Sequence, residues 1–196
     1  MRTASGAGTG AAAQHSQSLE ACLAHFPGLK VVIPSTPYDA KGLLKTAIRD
    51  DNPVMFLEQK TLYRTKGMVP EEEYSIPLGQ ADIKLAGSDC TVVTYGRMVN
   101  TCLTAAQELE KDGVRLEVID IRSLVPLDTQ TILESVKKTK HVLIVHEAVQ
   151  FCGFGAEIAG QIADSDAFYY LDAPIKRLGA KSTPIPFNPI LEAETF

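Results

Sequence analysis

A histidine near the start of the chain stands where a titratable group could meet a ligand. His15 lies in the segment Gln14–Ser18, after a glycine-rich run at Gly6–Gly10 and before an apolar helix pattern. An imidazole held between a flexible loop and a helix start can exchange protons near neutral pH. An ordinary loop histidine would show the same pattern, and the residues alone leave both readings open. The glycine run has no predicted strand before it and no suitable acidic residue after it, so it does not predict a dinucleotide site.

A second group of residues could bind a cation at the end of a predicted helix. Asp50 and Asn52 follow a helix pattern that ends at Arg49, and they precede Pro53. Free carbonyl groups at a helix C-terminus, together with side-chain oxygens, suit a hard cation. Simple capping of the helix by these two residues would explain the same pattern.

Polar residues also follow three strands of the second half of the chain, at Gly96–Arg97, Asp120–Arg122 and His146–Glu147. Ligands of parallel sheets bind at such strand ends. Neighbouring strand residues point to opposite faces, so His146 and Glu147 cannot form one catalytic pair. We expect them to serve in packing and subunit contact, together with Gly153–Glu157. The acidic run Glu71–Glu73 is typical of a solvated loop.

The composition limits the classes of protein to which the chain can belong. Of its 196 residues, 45% are hydrophobic and 22% are charged, and the net charge is −5. The chain can therefore bury a core, but it lacks the basic surface that nucleic acid requires. No apolar run approaches the roughly 18 residues that cross a membrane, and the first residues lack the core of a signal peptide. The four cysteines are Cys22, Cys90, Cys102 and Cys152. Because they lack the spacing of metal ligands, we expect them to be reduced, mostly core residues of an intracellular protein.

Alternating strand and helix patterns predict an α/β protein in two blocks. Residues 1–58 give a strand–helix–strand crossover unit, and residues 59–88 are typical of a polar linker that adds a short edge strand. In residues 89–196 we expect a mostly parallel sheet covered on both faces. The predicted helices are Leu19–His25, Tyr38–Arg49, Met98–Lys111 with Ala105, Ala106 and Leu109 facing inward, one capped by Asp128, and Phe154–Ala163. The predicted strands are Leu29–Pro34, Pro53–Glu58, Thr91–Gly96, Leu116–Ile121, His141–Glu147 and a final one from Phe168 to Leu171.

Longer motifs resemble the β subunit of thiamine-diphosphate-dependent 2-oxo acid dehydrogenases, within the transketolase-like family. The motifs of the first block are Gln14–Ser18, Pro27–Val32, Asp39–Leu44 and Ile48–Pro53. Those of the second block are Glu117–Leu124, Pro126–Asp128, His146–Ala148, Gly153–Glu157 and Leu171–Pro174. The resemblance runs from about Arg2 to the end, and the pyruvate, acetoin and branched-chain dehydrogenases share it.

The resemblance implies a fold and a role for several residues. It implies the C-terminal half of a pyrimidine-binding domain, followed by a transketolase C-terminal-type domain with a mostly parallel sheet. His15 would be the catalytic residue, and Asp172 would contact the lipoyl acyltransferase core. Thiamine diphosphate with Mg²⁺ would be shared with the α subunit, and no residue of this chain is assigned to it. A structural K⁺ is implied at Ala47, Ile48, Asp50 and Asn52.

The expected activity is transfer of an acyl unit from a 2-oxo acid, or from acetoin, to a lipoyl group. The α subunit, a second β subunit and the acyltransferase core are the expected partners, in the cytoplasm or alternatively in the mitochondrial matrix. The chain would be a truncated, inactive fragment on its own, with self-association or disorder in residues 1 to about 28. A transketolase or deoxyxylulose-phosphate synthase relative and a non-catalytic assembly module are the alternatives.

Overall fold

A computed structural model describes all 196 residues, and its first sheet combines strands from both halves of the sequence. Its order is β1-β3-β2-β7, with β7 antiparallel to β2 and the other pairs parallel. The strands are β1 Arg2–Ser5, β2 Lys30–Val32, β3 Val54–Gln59 and β7 Ser123–Val125. The parallel crossover unit that the sequence predicts is therefore present. Strands β1 and β7 were not predicted, and β1 places a strand directly before the glycine-rich run.

The helices of the first block are α1 Ala12–His15, α2 Glu20–Ala24 and α3 Pro37–Arg49. Helix α3 starts where the Thr36 hydroxyl accepts the N–H of Asp39, at 3.1 Å, and Pro37 occupies its first turn. Its fully buried Leu43 packs with Phe56 of β3 in an apolar cluster that also contains Val32, Val54 and Ile76. Burial of this face holds α3 against the first sheet.

The second sheet has the order β4-β6-β5-β8-β9, and only β4 runs antiparallel to its neighbour. The strands are β4 Asp82–Leu85, β5 Cys90–Thr94, β6 Leu116–Asp120, β8 Val142–Val149 and β9 Lys176–Ala180. Strand β4 is the edge strand expected from the linker. The helices are α4 Met98–Glu110, α5 Thr129–Thr139, α6 Gly155–Ala163 and α7 Pro189–Ala193. Asp128 caps α5 as expected, because its carboxylate accepts the N–H of Thr131.

Three expectations from the sequence were wrong. The segment predicted as a final strand forms a 3₁₀ helix at Asp166–Tyr170, and the last strand is β9. Helix α4 buries Val99, Cys102 and Ala106. Of the three residues predicted to face inward, only Ala106 is buried, whereas Ala105 and Leu109 are exposed. Only one of the four cysteines, Cys102, is buried. The α/β class with mostly parallel sheets is confirmed, and no helix has the length and apolarity needed to cross a bilayer.

Candidate functional site

The glycine-rich loop between β1 and α1 is held by two carboxylates from the second half of the chain. The N–H of Ala7 donates to the carboxylate of Glu147. The N–H groups of Gly8 and Gly10 donate to the two carboxylate oxygens of Glu192, each at 2.9 Å. These glycines have φ values of 88° and 61°, in a left-handed region that glycine enters without steric cost. The loop is therefore fixed through its backbone.

Glu147 is the centre of a buried polar network at the ends of several strands. Its side chain also accepts Gln59 Nε2 at 3.1 Å and the guanidinium Nε of Arg97. Gln59 ends β3, and its side-chain oxygen accepts the backbone N–H of Arg97. A Cβ on Gly96 would lie 2.3 Å from that oxygen, so the close approach requires glycine. The network joins the first sheet to the start of α4.

His146 and its neighbour Glu147 make separate contacts, as expected for adjacent strand residues that point to opposite faces. Its ring stacks on Tyr95 with a centroid separation of 6.1 Å, and a Cβ on Gly155 would lie 2.7 Å from it. Burial lowers the pKa of this imidazole. Nδ1 lies 3.0 Å from the carbonyl oxygen of Ala148, and it donates to that oxygen in the neutral ring. His146 is thus a packing residue, and subunit contact by it stays a prediction.

His15 is the last residue of α1 and its side chain is exposed. Its backbone carbonyl accepts the ammonium of Lys60, and the next residue, Ser16, is fully buried. The C-terminal end of α1 is therefore tied down, while the imidazole stays free of hydrogen bonds within the chain. This arrangement leaves both ring nitrogens available to an incoming group.

A cleft of ≈ 470 Å³ opens beside α1, between this helix and the segment that follows β9. Ala13 and Gln17, which lie on either side of His15 in the sequence, line the cleft, and so does Glu147. Lys181 and Thr183 also line it. The cleft is at the carboxyl ends of β8 and β9, which is the usual place for a ligand in a parallel sheet.

The predicted cation site lies at the end of α3. The Asp50 carboxylate accepts Lys30 Nζ and the backbone N–H of Asn52, and the bond from Lys30 lowers its pKa. The carbonyl oxygens of Ala47 and Ile48 accept no backbone hydrogen bond beyond the helix. The carbonyl groups are thus free for a cation, whereas the carboxylate is already neutralised by an ammonium group.

Asp172 is exposed on a bend before β9, where its carboxylate lies 4.0 Å from Lys140 Nζ. The structure does not bring the three predicted sites together. The loop that carries His15 follows β1, at the carboxyl edge of the first sheet, whereas Asp50 precedes the parallel strand β3, at the amino edge. Asp172 lies at the amino edge of the second sheet. The three predicted sites are therefore separate in space.

A second buried polar cluster joins the two sheets, and the sequence did not predict it. The Arg122 guanidinium lies 3.1 Å from Asp39 Oδ1, and Lys84 Nζ lies 2.8 Å from Asp39 Oδ2. Burial opposes ionisation of Asp39, but the bonds from Lys84 and Thr36 outweigh it and lower its pKa. Burial raises the pKa of Asp120, which accepts the Ser35 hydroxyl, to about 7.

The glycine-rich loop does not fit the diphosphate of a cofactor. A phosphate-binding loop must offer free N–H groups, and those of Ala7, Gly8 and Gly10 already bind internal carboxylates. The residues around the loop thus position a side chain rather than bind an anion. No group of three or more His, Cys, Asp or Glu side chains in the chain is arranged to hold a metal ion.

Two family models match the chain. The transketolase C-terminal domain matches residues 79–196, and the transketolase pyrimidine-binding domain matches residues 1–66. A split-gene transketolase, solved as an inactive β4 tetramer, has the same fold with a TM-score of 0.80. It is 23% identical and the match covers 99% of this chain and 61% of that one.

Several curated proteins are similar over nearly the whole chain. The acetoin:2,6-dichlorophenolindophenol oxidoreductase β subunit of Bacillus subtilis is 53% identical over 98% of this chain and 56% of its own length. The pyruvate dehydrogenase E1 β subunit of the same organism is 50% identical over 96% of this chain and 58% of its own length. The 2-oxoisovalerate dehydrogenase β subunit of Bacillus subtilis is 48% identical over 98% of this chain and 59% of its own length. The chain spans a little over half the length of these relatives.

The fold agrees with both family matches, because a solved transketolase chain superposes on nearly the whole of it. The chain belongs to the transketolase family, with a pyrimidine-binding-domain region followed by a C-terminal domain, and its relatives are β subunits of 2-oxo acid and acetoin dehydrogenases.

Proposed function

We propose that this chain forms part of the β subunit of a thiamine-diphosphate-dependent 2-oxo acid or acetoin dehydrogenase. One observation carries the proposal: the exposed imidazole of His15 ends the short helix α1, which directly follows a loop whose backbone is fixed by Glu147 and Glu192. A side chain free to meet a substrate, on a backbone held in place, is what proton transfer in an active site requires. The similarity to acetoin and pyruvate dehydrogenase β subunits supports the substrate class.

His15 is the proposed proton-transfer residue. A lipoyl disulfide that is reduced and acylated needs a proton on one of its sulfurs, and an exposed imidazole can donate it. Thiamine diphosphate, when bound in the assembled enzyme, supplies the carbon–carbon bond cleavage. Because the N–H groups of Ala7, Gly8 and Gly10 already bind internal carboxylates, we assign the diphosphate and its Mg²⁺ to the α subunit.

The proposed assembly has two α and two β subunits. A separate lipoyl acyltransferase core would contact it at Asp172, on the exposed bend before β9. K⁺ is proposed to bind the free carbonyl oxygens of Ala47 and Ile48 beside Asp50 and Asn52. The cytoplasm is the proposed compartment, with the mitochondrial matrix as the alternative, since one relative is a mitochondrial pyruvate dehydrogenase β subunit of Caenorhabditis elegans.

The test uses the whole β subunit, assembled with its α subunit, and measures reduction of 2,6-dichlorophenolindophenol with acetoin or pyruvate, followed by lipoyl acylation. The variant His15→Asn should lower lipoyl acylation by roughly 100-fold or more, the range of general acid–base catalysis. His25→Asn, at an exposed histidine beyond α2, is the matched control and should leave the rate unchanged. Full acylation by His15→Asn would refute the assignment, and ketol transfer between sugar phosphates would favour the transketolase alternative.

A further inference from the structure

The end of the chain lies against the glycine-rich loop that precedes α1 and His15, and one buried carboxylate makes the contact. Glu192, on α7, is 4% exposed. Its Oε1 and Oε2 each accept one backbone N–H, from Gly8 and Gly10, at 2.9 Å. The two partners are 184 and 182 residues away in the sequence. The contact therefore depends on the folded arrangement of both domains.

Glu192 has no charged partner, which makes the loop essential to it. Its carboxylate takes part in none of the ion pairs of the structure. The N–H groups of Gly8 and Gly10 are the only hydrogen-bond donors to it. A buried carboxylate is costly unless donors replace the water it loses. Conversely, the amides of Gly8 and Gly10 converge on one point because both glycines have positive φ values. The carboxylate and the loop conformation stabilise each other.

The segment that carries Glu192 is itself fixed to the second sheet. The N–H of Lys181, directly after β9, donates to the carbonyl oxygen of Thr195 at 2.8 Å. The Arg97 guanidinium lies 4.9 Å from the ring centroid of Phe196. Arg97 also binds Glu147, the other carboxylate that holds the loop. Helix α7 is therefore tied at its C-terminal end to the second sheet and to Arg97.

The position of His15 follows from that of the loop. Helix α1 has four residues, no side-chain cap at its N-terminus and no buried residue, so it cannot fix itself by its own interactions. It begins two residues after Gly10. Its C-terminal end is held by the Lys60 ammonium on the His15 carbonyl. A shift of the loop at its N-terminal end would therefore change the orientation of α1, and with it the position of the imidazole.

We propose that Glu192 is a positioning residue, which holds the glycine-rich loop and through it the imidazole of His15. The proposal deepens the function proposed above and depends on it for the role of His15. A substitution of Glu192 tests the hold on the loop more cleanly than one of Glu147, because Glu147 also binds two side chains of a buried network.

The test compares Glu192→Gln and Glu192→Asp with a matched control, Glu194→Gln, at the exposed glutamate two residues further on. Amide hydrogen exchange is measured over residues 6–10, and the ring resonances of His15 are followed by NMR. In Glu192→Gln, where an amide NH₂ faces one of the N–H groups, exchange at Gly8 and Gly10 should rise about tenfold or more. The His15 resonances should move, those of His25 and His141 should stay, and Glu192→Asp should be intermediate.

Unchanged loop exchange in Glu192→Gln would overturn the proposal, and so would faster exchange without any change at His15. Protection within β5 and β6 reports whether the variant is folded. If Glu192→Gln fails to fold, the same measurements on Glu192→Asp decide the question. These readouts need no turnover, so they are independent of the His15→Asn assay. Full activity of His15→Asn would remove the proposed function and leave the positional result intact.

Discussion

A buried glutamate should give the protein a pH-dependent stability of predictable sign. Glu20 begins α2, is 2% exposed, and accepts the hydroxyl of Tyr95 at 3.0 Å. Burial raises its pKa from 4.5 to about 7, and the charge of Glu147 adds to the effect. Between these two pH values the folded chain binds a proton that the unfolded chain has released. Stability from this group is therefore complete below pH 4.5 and is lost as the pH rises through about 7.

The size of the effect follows from the two pKa values. A folded pKa of about 7 against 4.5 in the unfolded chain corresponds to roughly 3 kcal/mol of stability lost across that window. Glu20→Gln keeps an oxygen that can accept the Tyr95 hydroxyl but cannot ionise. Relative to the wild type, the variant should gain roughly 3 kcal/mol between pH 4.5 and pH 8.

Urea unfolding followed by circular dichroism at constant ionic strength, from pH 4.5 to pH 8, measures this difference. Asp120 contributes to the pH dependence of stability in the same direction, since burial raises its pKa to about 7. The loss of wild-type stability with rising pH therefore contains the contributions of both groups. Glu110→Gln, at an exposed glutamate of α4, is the control and should follow the wild type. Parallel curves for Glu20→Gln and the wild type over the whole range would refute the reasoning.

Two further predictions concern the connection between the sheets and the cation site. Arg122→Met leaves the buried Asp39 carboxylate with one cation fewer. It should lower the unfolding free energy by about 3 kcal/mol, the cost of breaking a buried ion pair. Urea unfolding measures this loss, and a loss equal to that of Arg49→Met, at an exposed arginine, would contradict the prediction. Replacing Na⁺ by K⁺ at constant ionic strength should raise the melting temperature of the whole β subunit, and Asn52→Ala should weaken that response while Asp51→Ala leaves it intact. Equal melting temperatures in the two salts would count against a K⁺ site.

The order of helices and strands could be predicted wherever local signals agree with the fold. Thr36 and Pro37 mark the start of α3, and Asp128 caps α5. The predicted strand at Phe168–Leu171 was wrong because aromatic residues favour strands, whereas Ser165 caps a 3₁₀ turn there through the N–H of Ala167. The true strand β9, Lys176–Ala180, contains glycine and charged residues and is held by its pairing with β8.

Non-local contacts explain what the sequence could not predict. Strand β7 is three residues long, and its partner β2 lies about ninety residues earlier. Nothing in Ser123–Val125 signals that distant pairing. The resemblance identified His15, but the residues that hold its loop lie far along the chain, and Glu192 lies in a segment for which no element was predicted. Gly96–Arg97 and His146–Glu147 were noted as strand ends, which is the one local signal of the network around Glu147.

The same contacts decide how the two domains can act. Strand β7 belongs to the first sheet although it follows β6 of the second, and the largest apolar cluster contains Val31 of β2 together with Ile144 of β8. Glu147 and Glu192 hold the first-domain loop from the second domain. A rotation between the domains would break a strand pair, open that apolar cluster and leave two buried carboxylates without donors. The geometry at His15 therefore depends on the second domain, which holds the loop before α1, as well as on Lys60 of the first domain, whose ammonium group holds the His15 carbonyl.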